Sequence, residues 1–155
     1  MAGDTFSQDY KVNWENLDPN QHMRGSVMVD YAVNTQFVWL GISQQRYAEV
    51  GFGPIASSME VRFDRGATLG DTVTDTPVII AMSADGSRWR VRHSFVKNGT
   101  EKLGSINLEG SWLDWESRRA VAPSQDVLQA LNTLQRSSDF EELRSLMRTS
   151  NFEKE

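Results

Sequence analysis

The fold of this chain is decided by residues 14–50, WENLDPNQHMRGSVMVDYAVNTQFVWLGISQQRYAEV, where a polar loop leads into a long apolar segment. From Val27 onward the apolar side chains recur three and four residues apart, which is typical of a helix. Ser26 is the predicted N-cap, because its hydroxyl can accept a hydrogen bond from the first turn. One helix over residues 27–50 would be roughly 35 Å long. Because its apolar residues cover most of its circumference, we expect it to be buried.

The polar loop, residues 15–25, concentrates side chains that can carry out chemistry, among them Asp18, His22 and Arg24. Pro19 disfavours helical backbone at Asp18. Asp18 therefore lies just before a helix N-terminus, where free N–H groups attract negative charge. A carboxylate in this place can attack a carbonyl or deprotonate water while the helix end stabilises an oxyanion. An aspartate before a proline is also a common turn residue, so a purely structural role is the alternative.

Residues 12–23, VNWENLDPNQHM, followed by a long buried helix, resemble the opening of hotdog-fold acyl-CoA thioesterases of the 4-hydroxybenzoyl-CoA type. In that family a strand leads into an Asp-x-Asp-x-x-Gly-His-Val-like loop, and the second Asp is catalytic. Asp18 falls on that second Asp, and His22 falls on the His. The order of predicted elements is similar to the family to about residue 122, whereas the specific motif covers only the loop.

The resemblance implies an acyl-CoA thioesterase that hydrolyses an acyl- or aryl-CoA thioester to the free acid and CoA. Asp18 would be the nucleophile or general base, and His22 would assist catalysis or support the loop. The helix N-terminus would be the oxyanion site. The predicted substrate contacts are Asn20, Met23, Arg24, Gly25, Ser26, Ser57, Ser58 and Met59. Coenzyme A enters as part of the substrate, so no cofactor is expected. Two widely separated histidines without clustered cysteines predict no metal site.

Three departures from the family loop keep other functions open. Asn16 replaces the usual first Asp, Gln21 replaces the Gly, and residues 24–25 replace a frequent Asn-Asn pair. These changes favour a non-catalytic acyl or CoA-ester binding protein as one alternative. A hotdog enoyl-CoA hydratase is the second, with Asp18 and His22 as an acid–base pair, although the Gly-Asp-x-Asn-Pro-x-x-His-like order of that enzyme is not reproduced.

Composition places the chain among ordinary globular proteins. Its 155 residues predict a single domain, 1–155, with a core over about 9–122 and a C-terminal helical extension over about 123–155. The net charge of −5 gives no electrostatic footprint for nucleic acid. No apolar run reaches membrane-spanning length and no signal peptide is recognised, so we expect no membrane partner and a cytoplasmic location. The absence of cysteine excludes disulfides and thiol chemistry.

Two strands are predicted on either side of the helix. Tyr10, Val12 and Trp14 alternate with polar residues and indicate a first strand. Residues 55–63 alternate in the same way and indicate a second. A long, partly apolar edge strand is a liability unless a partner covers it. Together with the dimeric site that the family resemblance implies, this predicts a homodimer or a dimer of dimers.

A three-stranded meander is predicted over residues 72–115, with turns at residues 85–86 and at the Asn-Gly pair 98–99. A two-residue turn at that pair would place Val91 opposite Ile106, Trp89 opposite Leu108 and His93 opposite Gly104. The glycines at 104 and 110 would then let the helix approach the sheet closely. The whole chain is therefore predicted to be α+β, an antiparallel sheet wrapped around one long central helix.

The C-terminal region is predicted to form two short amphipathic helices that cover part of this sheet. The first begins near Ser124 and carries Leu128 and Leu131 on one side. The second begins at residues 138–141, Ser-Asp-Phe-Glu, which resemble a capping box, and continues to about Met147.

The remaining candidates have ordinary structural explanations. His93 falls on the predicted core face, where a hydrogen-bonded core histidine is expected. Arg88, Arg90 and Arg92 share one strand face, and a solvated face with a cross-strand pair between Arg88 and Glu109 explains them better than binding of coenzyme A phosphates. On the helix and second strand, the bulky side chains Phe37, Trp39, Met28 and Met59 predict a cleft for a medium acyl or aryl group.

Overall fold

The computed structural model describes residues 5–147 of the chain. Its elements are β1 (Gln8–Lys11), a 3₁₀ turn (Trp14–Asn16), α1 (Gly25–Leu40), α2 (Gln44–Val50), β2 (Phe52–Phe63), β3 (Thr72–Ser83), β4 (Trp89–Lys97), β5 (Glu101–Asp114), α3 (Gln125–Asn132) and β6 (Arg136–Leu143).

The strands form one sheet in the order β1-β3-β4-β5-β2, and β6 pairs in parallel with the far half of β3. The other neighbours are antiparallel. Helix α1 contributes Val27, Met28, Ala32 and Trp39 to the same buried core as the inner face of the sheet. The predicted α+β architecture, an antiparallel sheet around a central helix, is confirmed. Strand β2 lies at the edge of the sheet, as predicted.

The long central helix is present, but the prediction that it runs unbroken from residue 27 to residue 50 is wrong. Helix α1 has 16 residues, roughly 24 Å at 1.5 Å per residue. It ends at Gly41, whose φ of +73° lies in the left-handed region that favours glycine. Ser43 then caps α2 by accepting a hydrogen bond from the Arg46 backbone N–H at 3.0 Å. At the other end the N-cap is Arg24 rather than Ser26, because α1 begins at Gly25.

Burial of α1 is also one-sided. Its outer face leaves Val33, Phe37 and Val38 between 43% and 50% exposed. The sheet covers a single face of the helix within residues 5–147, and apolar side chains on the other face remain open. The first strand is shorter than predicted as well. It ends at Lys11, and Trp14 is 76% exposed on the 3₁₀ turn instead of contributing to the sheet.

The predicted meander is confirmed, but its register is wrong by two residues. Val91 pairs with Leu108, and Trp89 pairs with Gly110. The turn uses the three residues 98–100 and joins Lys97 to Glu101. A bulge lies next to it, because the pairing of β4 with β5 shifts between Phe95 and Val96. A shift of two residues keeps every side chain on its predicted face.

The glycines of β5 serve a purpose other than the predicted one. A Cβ at Gly104 would collide with the backbone carbonyl of Arg62, and a Cβ at Gly110 would collide with the carbonyl of Ile55. Both carbonyls belong to the neighbouring strand β2. The glycines therefore admit close approach of that strand and not of the helix.

The C-terminal region is half helix and half strand within the described residues. The first predicted helix is confirmed as α3. The second is wrong, because residues 136–143 form β6 and complete the half of β3 that β1 leaves free. Pairing with an open strand edge outweighs the local capping pattern. The predicted helical extension from residue 148 onward lies outside the described residues.

Candidate active site and apolar cavity

The polar loop folds back on itself before it enters α1. Leu17 and Met23 form an isolated antiparallel bridge. The Asp18 backbone N–H donates to the His22 carbonyl at 2.8 Å, so these two residues flank the same tight turn. Gln21 sits within the turn at a φ of +62°. Asp18 and His22, which are four residues apart in sequence, are thereby brought side by side.

The two carboxylate oxygens of Asp18 have different surroundings. Its Oδ1 accepts hydrogen bonds from the backbone N–H groups of Asn20 at 2.8 Å and His22 at 3.0 Å. Its Oδ2 has no hydrogen-bond partner among the residues that the structure describes. Asp18 is half-buried. One oxygen therefore fixes the loop, and the other is available to a substrate or a water molecule.

The ring of His22 is exposed and packs against Gly66. A Cβ at position 66 would lie 2.7 Å from the His22 Cδ2 atom, so the glycine makes room for the imidazole. Within residues 5–147 the Asp18 carboxylate makes no hydrogen bond to the His22 ring. Its Oδ1 accepts from the His22 backbone N–H instead.

The loop is anchored at the point where it becomes the helix. The Met23 N–H donates to the Ala67 carbonyl at 2.8 Å, and the Arg24 N–H donates to the Asn16 carbonyl at 2.9 Å. The Arg24 guanidinium also donates to the Glu15 carbonyl. Arg24 is therefore a structural clamp of the loop.

Helix α1 opens next to a cavity of about 250 Å³. The N–H groups of Gly25 and Ser26, at the start of the helix, have no acceptor within residues 5–147. The ring of Phe63 lies over Gly25, where a Cβ would come within 2.6 Å of its Cζ. The wall of this cavity includes Met23, Gly25, Met28, Phe63, Asp64, Arg65, Gly66, Ala67 and Leu103.

None of the predicted contacts on β2 lines the cavity at the start of α1. Ser57 occupies a bulge, and its hydroxyl donates to the Glu109 carbonyl at 3.1 Å. Ser58 is exposed, as is Asn20 at the turn of the loop. Met59 lines a second cavity, described next.

A mainly apolar cavity of about 140 Å³ lies between the second half of α1, α2, β2 and the inner face of the sheet. Phe37, Trp39 and Met59, three of the four bulky residues expected to line a cleft, contribute to its wall. Met28 instead lines the cavity at the helix N-terminus. The remaining wall residues are Val33, Gln36, Leu40, Tyr47, Pro54, Ile55, Ala56, Ile79, Trp89, Val91, Leu108, Trp112, Leu131 and Leu134.

One wall residue of this apolar cavity, Gln36, is tied to a fully buried pair that the sequence did not indicate as a unit. Asp75 and His93 are both 0% exposed, and the Asp75 Oδ2 lies 2.8 Å from the His93 Nδ1. The His93 Nε2 lies 3.0 Å from the Gln36 Oε1. His93 is thus the hydrogen-bonded core histidine that was expected. The partners were missed because they lie 18 and 57 residues away in sequence.

A second polar wall residue, Tyr47, lacks a partner. It is 4% exposed, and its buried hydroxyl has no hydrogen-bond partner within residues 5–147. Burial raises the pKa of Tyr47 to about 12, so the hydroxyl stays protonated.

Carboxylates pair with the three arginines at the start of β4, of which Arg88 directly precedes the strand. Arg88 and Arg90 both bond the Glu109 Oε1, at 3.0 Å and 2.8 Å. The hydrogen bond from Arg90, followed by that from Arg88, holds the pKa of Glu109 below its usual range. Arg92 lies 3.9 Å from Asp139 of β6. The predicted pair between Arg88 and Glu109 is confirmed, although Arg90 and not Arg88 lies directly opposite Glu109.

Comparison with known proteins identifies the relatives of this chain. Residues 12–131 match the model of the thioesterase-like superfamily. No curated protein matches the chain. Within residues 5–147, no helix is long and apolar enough to cross a membrane, and no group of three or more side chains is suited to hold a metal ion.

Solved structures share the fold at low sequence identity. A Staphylococcus aureus protein solved in complex with CoA is 14% identical with a TM-score of 0.80, covering 98% of this chain and 94% of that one. A 1,4-dihydroxy-2-naphthoyl-CoA thioesterase from Synechocystis is 18% identical with a TM-score of 0.75, covering 84% and 98%. A Thermus thermophilus thioesterase solved with coenzyme A and Zn is 23% identical with a TM-score of 0.69, covering 83% and 92%.

Proposed function

The chain belongs to the thioesterase-like superfamily, and on that premise we propose that it hydrolyses an acyl-CoA thioester to the free acid and CoA. The observation that carries the proposal is the carboxylate of Asp18, which is fixed through one oxygen and free at the other, in the loop that leads into α1. The three solved structures named above, each a CoA complex or a thioesterase, support the same substrate class.

In the proposed reaction the free Oδ2 of Asp18 acts on the thioester carbonyl. It either attacks the carbonyl carbon directly or removes a proton from a water molecule that attacks it. On either route the bond between the carbonyl carbon and sulfur then breaks, and the CoA thiolate takes up a proton. After direct attack the acyl group remains on Asp18 as a mixed anhydride, which water hydrolyses to the free acid and the restored carboxylate. Two backbone N–H bonds hold Asp18 in one orientation, so little reorganisation is needed at the moment of reaction.

The start of α1 would stabilise the negative oxygen that forms on the carbonyl. The N–H groups of Gly25 and Ser26 have no acceptor in the described chain, and they carry the positive end of the helix dipole. The adjacent cavity places Arg65 beside this helix end. A guanidinium there suits a phosphate or pantetheine oxygen of the CoA group.

A second copy of the chain would complete the molecule. Strand β2 is an open sheet edge that carries the exposed side chains Ile55, Met59 and Phe63. The outer face of α1 exposes Val33 and Phe37, which also border the apolar cavity. Pairing of β2 with its copy across a two-fold axis would cover both surfaces.

A non-catalytic CoA-ester binding protein is the alternative that one observation favours. The Asp18 Oδ1 is engaged in holding the loop, which by itself is an ordinary turn role. Binding without turnover would leave the loop shape, the cavities and the fold unchanged. The two functions therefore differ only in whether the free thiol of CoA is released.

The test is a panel of acyl-CoA and aryl-CoA substrates with colorimetric detection of free thiol. The chain contains no cysteine, so the protein itself gives no background in this assay. Turnover of at least one substrate that disappears in Asp18→Asn supports the proposal. Asp114→Asn is a matched control, because Asp114 also accepts a turn N–H, from Ser117 at 2.7 Å, but lies at the end of β5. Tight binding with no thiol release across the panel would establish the binding protein instead.

A further inference from the structure

The wall of the apolar cavity contains one amide side chain, Gln36, in a mostly hydrocarbon surface. Gln36 is half-buried, so its amide can contact both the cavity and the groups behind the wall. The Gln36 Oε1 points behind the wall, where it meets the His93 Nε2 at 3.0 Å.

A buried pair behind Gln36 contacts one atom of its amide. Asp75 and His93 are both fully buried, and the Asp75 Oδ2 lies 2.8 Å from the His93 Nδ1. The Nδ1 is thereby engaged, and the Nε2 is the ring nitrogen that meets Gln36.

The atom that faces the His93 Nε2 is the Gln36 Oε1, and an amide oxygen can only accept, so the Nε2 is the donor in this contact. It therefore donates to the Gln36 Oε1, and the amide cannot turn over without placing two donors face to face. The Gln36 Nε2 has no hydrogen-bond partner within residues 5–147. The buried pair thus fixes Gln36 with a free N–H donor at the cavity wall.

The cavity has a second unsatisfied polar group and suitable room. Tyr47 also lines the wall, and its buried hydroxyl is without a partner in the described chain. The cavity volume of about 140 Å³ is close to the roughly 150 Å³ of an apolar cavity that holds benzene. An occupant with an apolar body and an accepting oxygen would fill the space and satisfy a donor at the same time.

We propose that Gln36 is a specificity-determining residue, which donates a hydrogen bond to an oxygen on the apolar part of the acyl group. His93 and Asp75 are positioning residues that hold the Gln36 amide in the donating orientation. The inference deepens the proposed acyl-CoA reaction and rests on it for the identity of the natural ligand. The preferred acyl or aryl groups carry a keto or hydroxyl oxygen away from the thioester, and plain hydrocarbon groups of the same shape bind less well.

The test compares two ligands of one shape, acetophenone and isopropenylbenzene, which differ in having a carbonyl oxygen or a CH₂ group. Binding to the full chain is followed by ¹H–¹⁵N NMR titration, with the Gln36 side-chain NH₂ signal assigned by its absence in Gln36→Met. We expect the ketone to bind about fivefold more tightly than the alkene, as one net hydrogen bond provides. We also expect the Gln36 NH₂ protons to shift downfield with the ketone alone.

The Gln36→Met variant should bind both ligands with equal affinity. Leu40→Met is the matched control, since Leu40 lines the same cavity and the change removes no donor. It should keep the preference for the ketone. The double variant Asp75→Leu/His93→Leu removes the positioning pair without leaving a buried charge. It should still bind the alkene while losing most of the preference.

A ketone preference that persists in Gln36→Met, or a wild-type chain that binds neither ligand, would overturn the proposal. These readouts measure binding and not hydrolysis. A chain that prefers the ketone but releases no thiol from any CoA ester would uphold the role of Gln36 and refute the thioesterase. A chain that hydrolyses CoA esters but shows no ketone preference would do the reverse.

Discussion

The two ends of helix α1 are built in opposite ways. At its N-terminus, Asp18 is held by N–H groups two and four residues ahead in the chain. In its second half, Gln36 is held by His93, 57 residues away, which is held in turn by Asp75. The first arrangement is local and partly solvent-exposed, whereas the second is assembled by the tertiary fold around the fully buried pair of Asp75 and His93. A local loop suits chemistry, and a rigid buried pair suits recognition of shape and polarity.

The largest expected effect is a loss of stability when the buried pair behind the second half of α1 is disrupted. His93→Leu leaves the Asp75 carboxylate buried without its partner, which should lower the free energy of unfolding by about 3–5 kcal/mol. The double variant Asp75→Leu/His93→Leu should recover most of that loss, because both polar groups are gone. Urea denaturation measures both values. Equal stabilities for the single and double variants would show that the pair is not coupled.

The loop end should tolerate an equivalent change far better. Asp18→Asn keeps the Oδ1 acceptor for both N–H groups, so its unfolding free energy should stay within about 1 kcal/mol of the wild type. Urea denaturation of the same preparation gives the value. A loss as large as that of His93→Leu would mean that the loop is as tightly coupled to the core as the buried pair is.

The pH dependence of stability tests a third region of the molecule, around the carboxylate of Asp85. Burial raises the pKa of Asp85, but hydrogen bonds from Ser145, Ser87 and Ser83 outweigh it, and the pKa falls to about 2. A carboxyl whose pKa is lowered by folding stabilises the fold at pH values above its ordinary pKa near 4. This contribution is lost as the pH falls toward 2. We expect about 2 kcal/mol, measured as unfolding free energy at pH 6 and pH 2.5.

The Asp85→Asn variant is the control for this titration. It should be less stable than the wild type at pH 6 and should show a smaller loss between the two pH values. An unchanged acid response in the variant would assign that response to other carboxylates, such as Asp126, whose pKa the hydrogen bond from Arg46 also lowers to about 2.

Substrate length probes the recognition end. Each additional buried methylene contributes about 0.8 kcal/mol, or roughly fourfold in kcat/KM, until the cavity is full. Rates should rise from acetyl-CoA and then flatten or fall, with Trp39 and Phe37 forming part of the limiting wall. Steady-state kinetics from acetyl-CoA to decanoyl-CoA provides the measurement. A flat series would show that the cavity does not read the acyl chain.

The smallest effect is expected at Tyr47, whose hydroxyl is buried without a partner in the described chain. Tyr47→Phe removes the unsatisfied group and should raise the free energy of unfolding by about 1 kcal/mol in the absence of ligand. Thermal denaturation detects this as a higher midpoint. A lower midpoint would mean that the hydroxyl has a partner, such as ordered water.

The same local and non-local division explains what the sequence could predict. The meander, the turn residues and the position of Asp18 before a helix all follow from neighbours within a few residues, and they are confirmed. The break at Gly41 was missed because helical spacing continues across it, although a glycine ends many helices. The register was wrong because the turn length at residues 98–100 depends on a bulge that no residue pattern marks.

The largest errors come from partners distant in the chain. Residues 136–143 carry a local helix-start pattern, yet the open half of β3 captures them as a strand. His93 was expected to be satisfied, but nothing near it in sequence identified Asp75 and Gln36 as its partners. A polar residue on a predicted strand at the core face, as Asp75 is, would have been the available clue.

The central claim is that the loop carries the chemistry and the cavity carries the recognition. The most direct measurement is kcat together with the dissociation constant of one good acyl-CoA substrate for wild type and Asp18→Asn. We expect kcat to fall at least about 100-fold, while the dissociation constant changes by less than about twofold. An Asp18→Asn variant that retains wild-type kcat, or whose loss of activity is accompanied by an equal loss of binding, would contradict it.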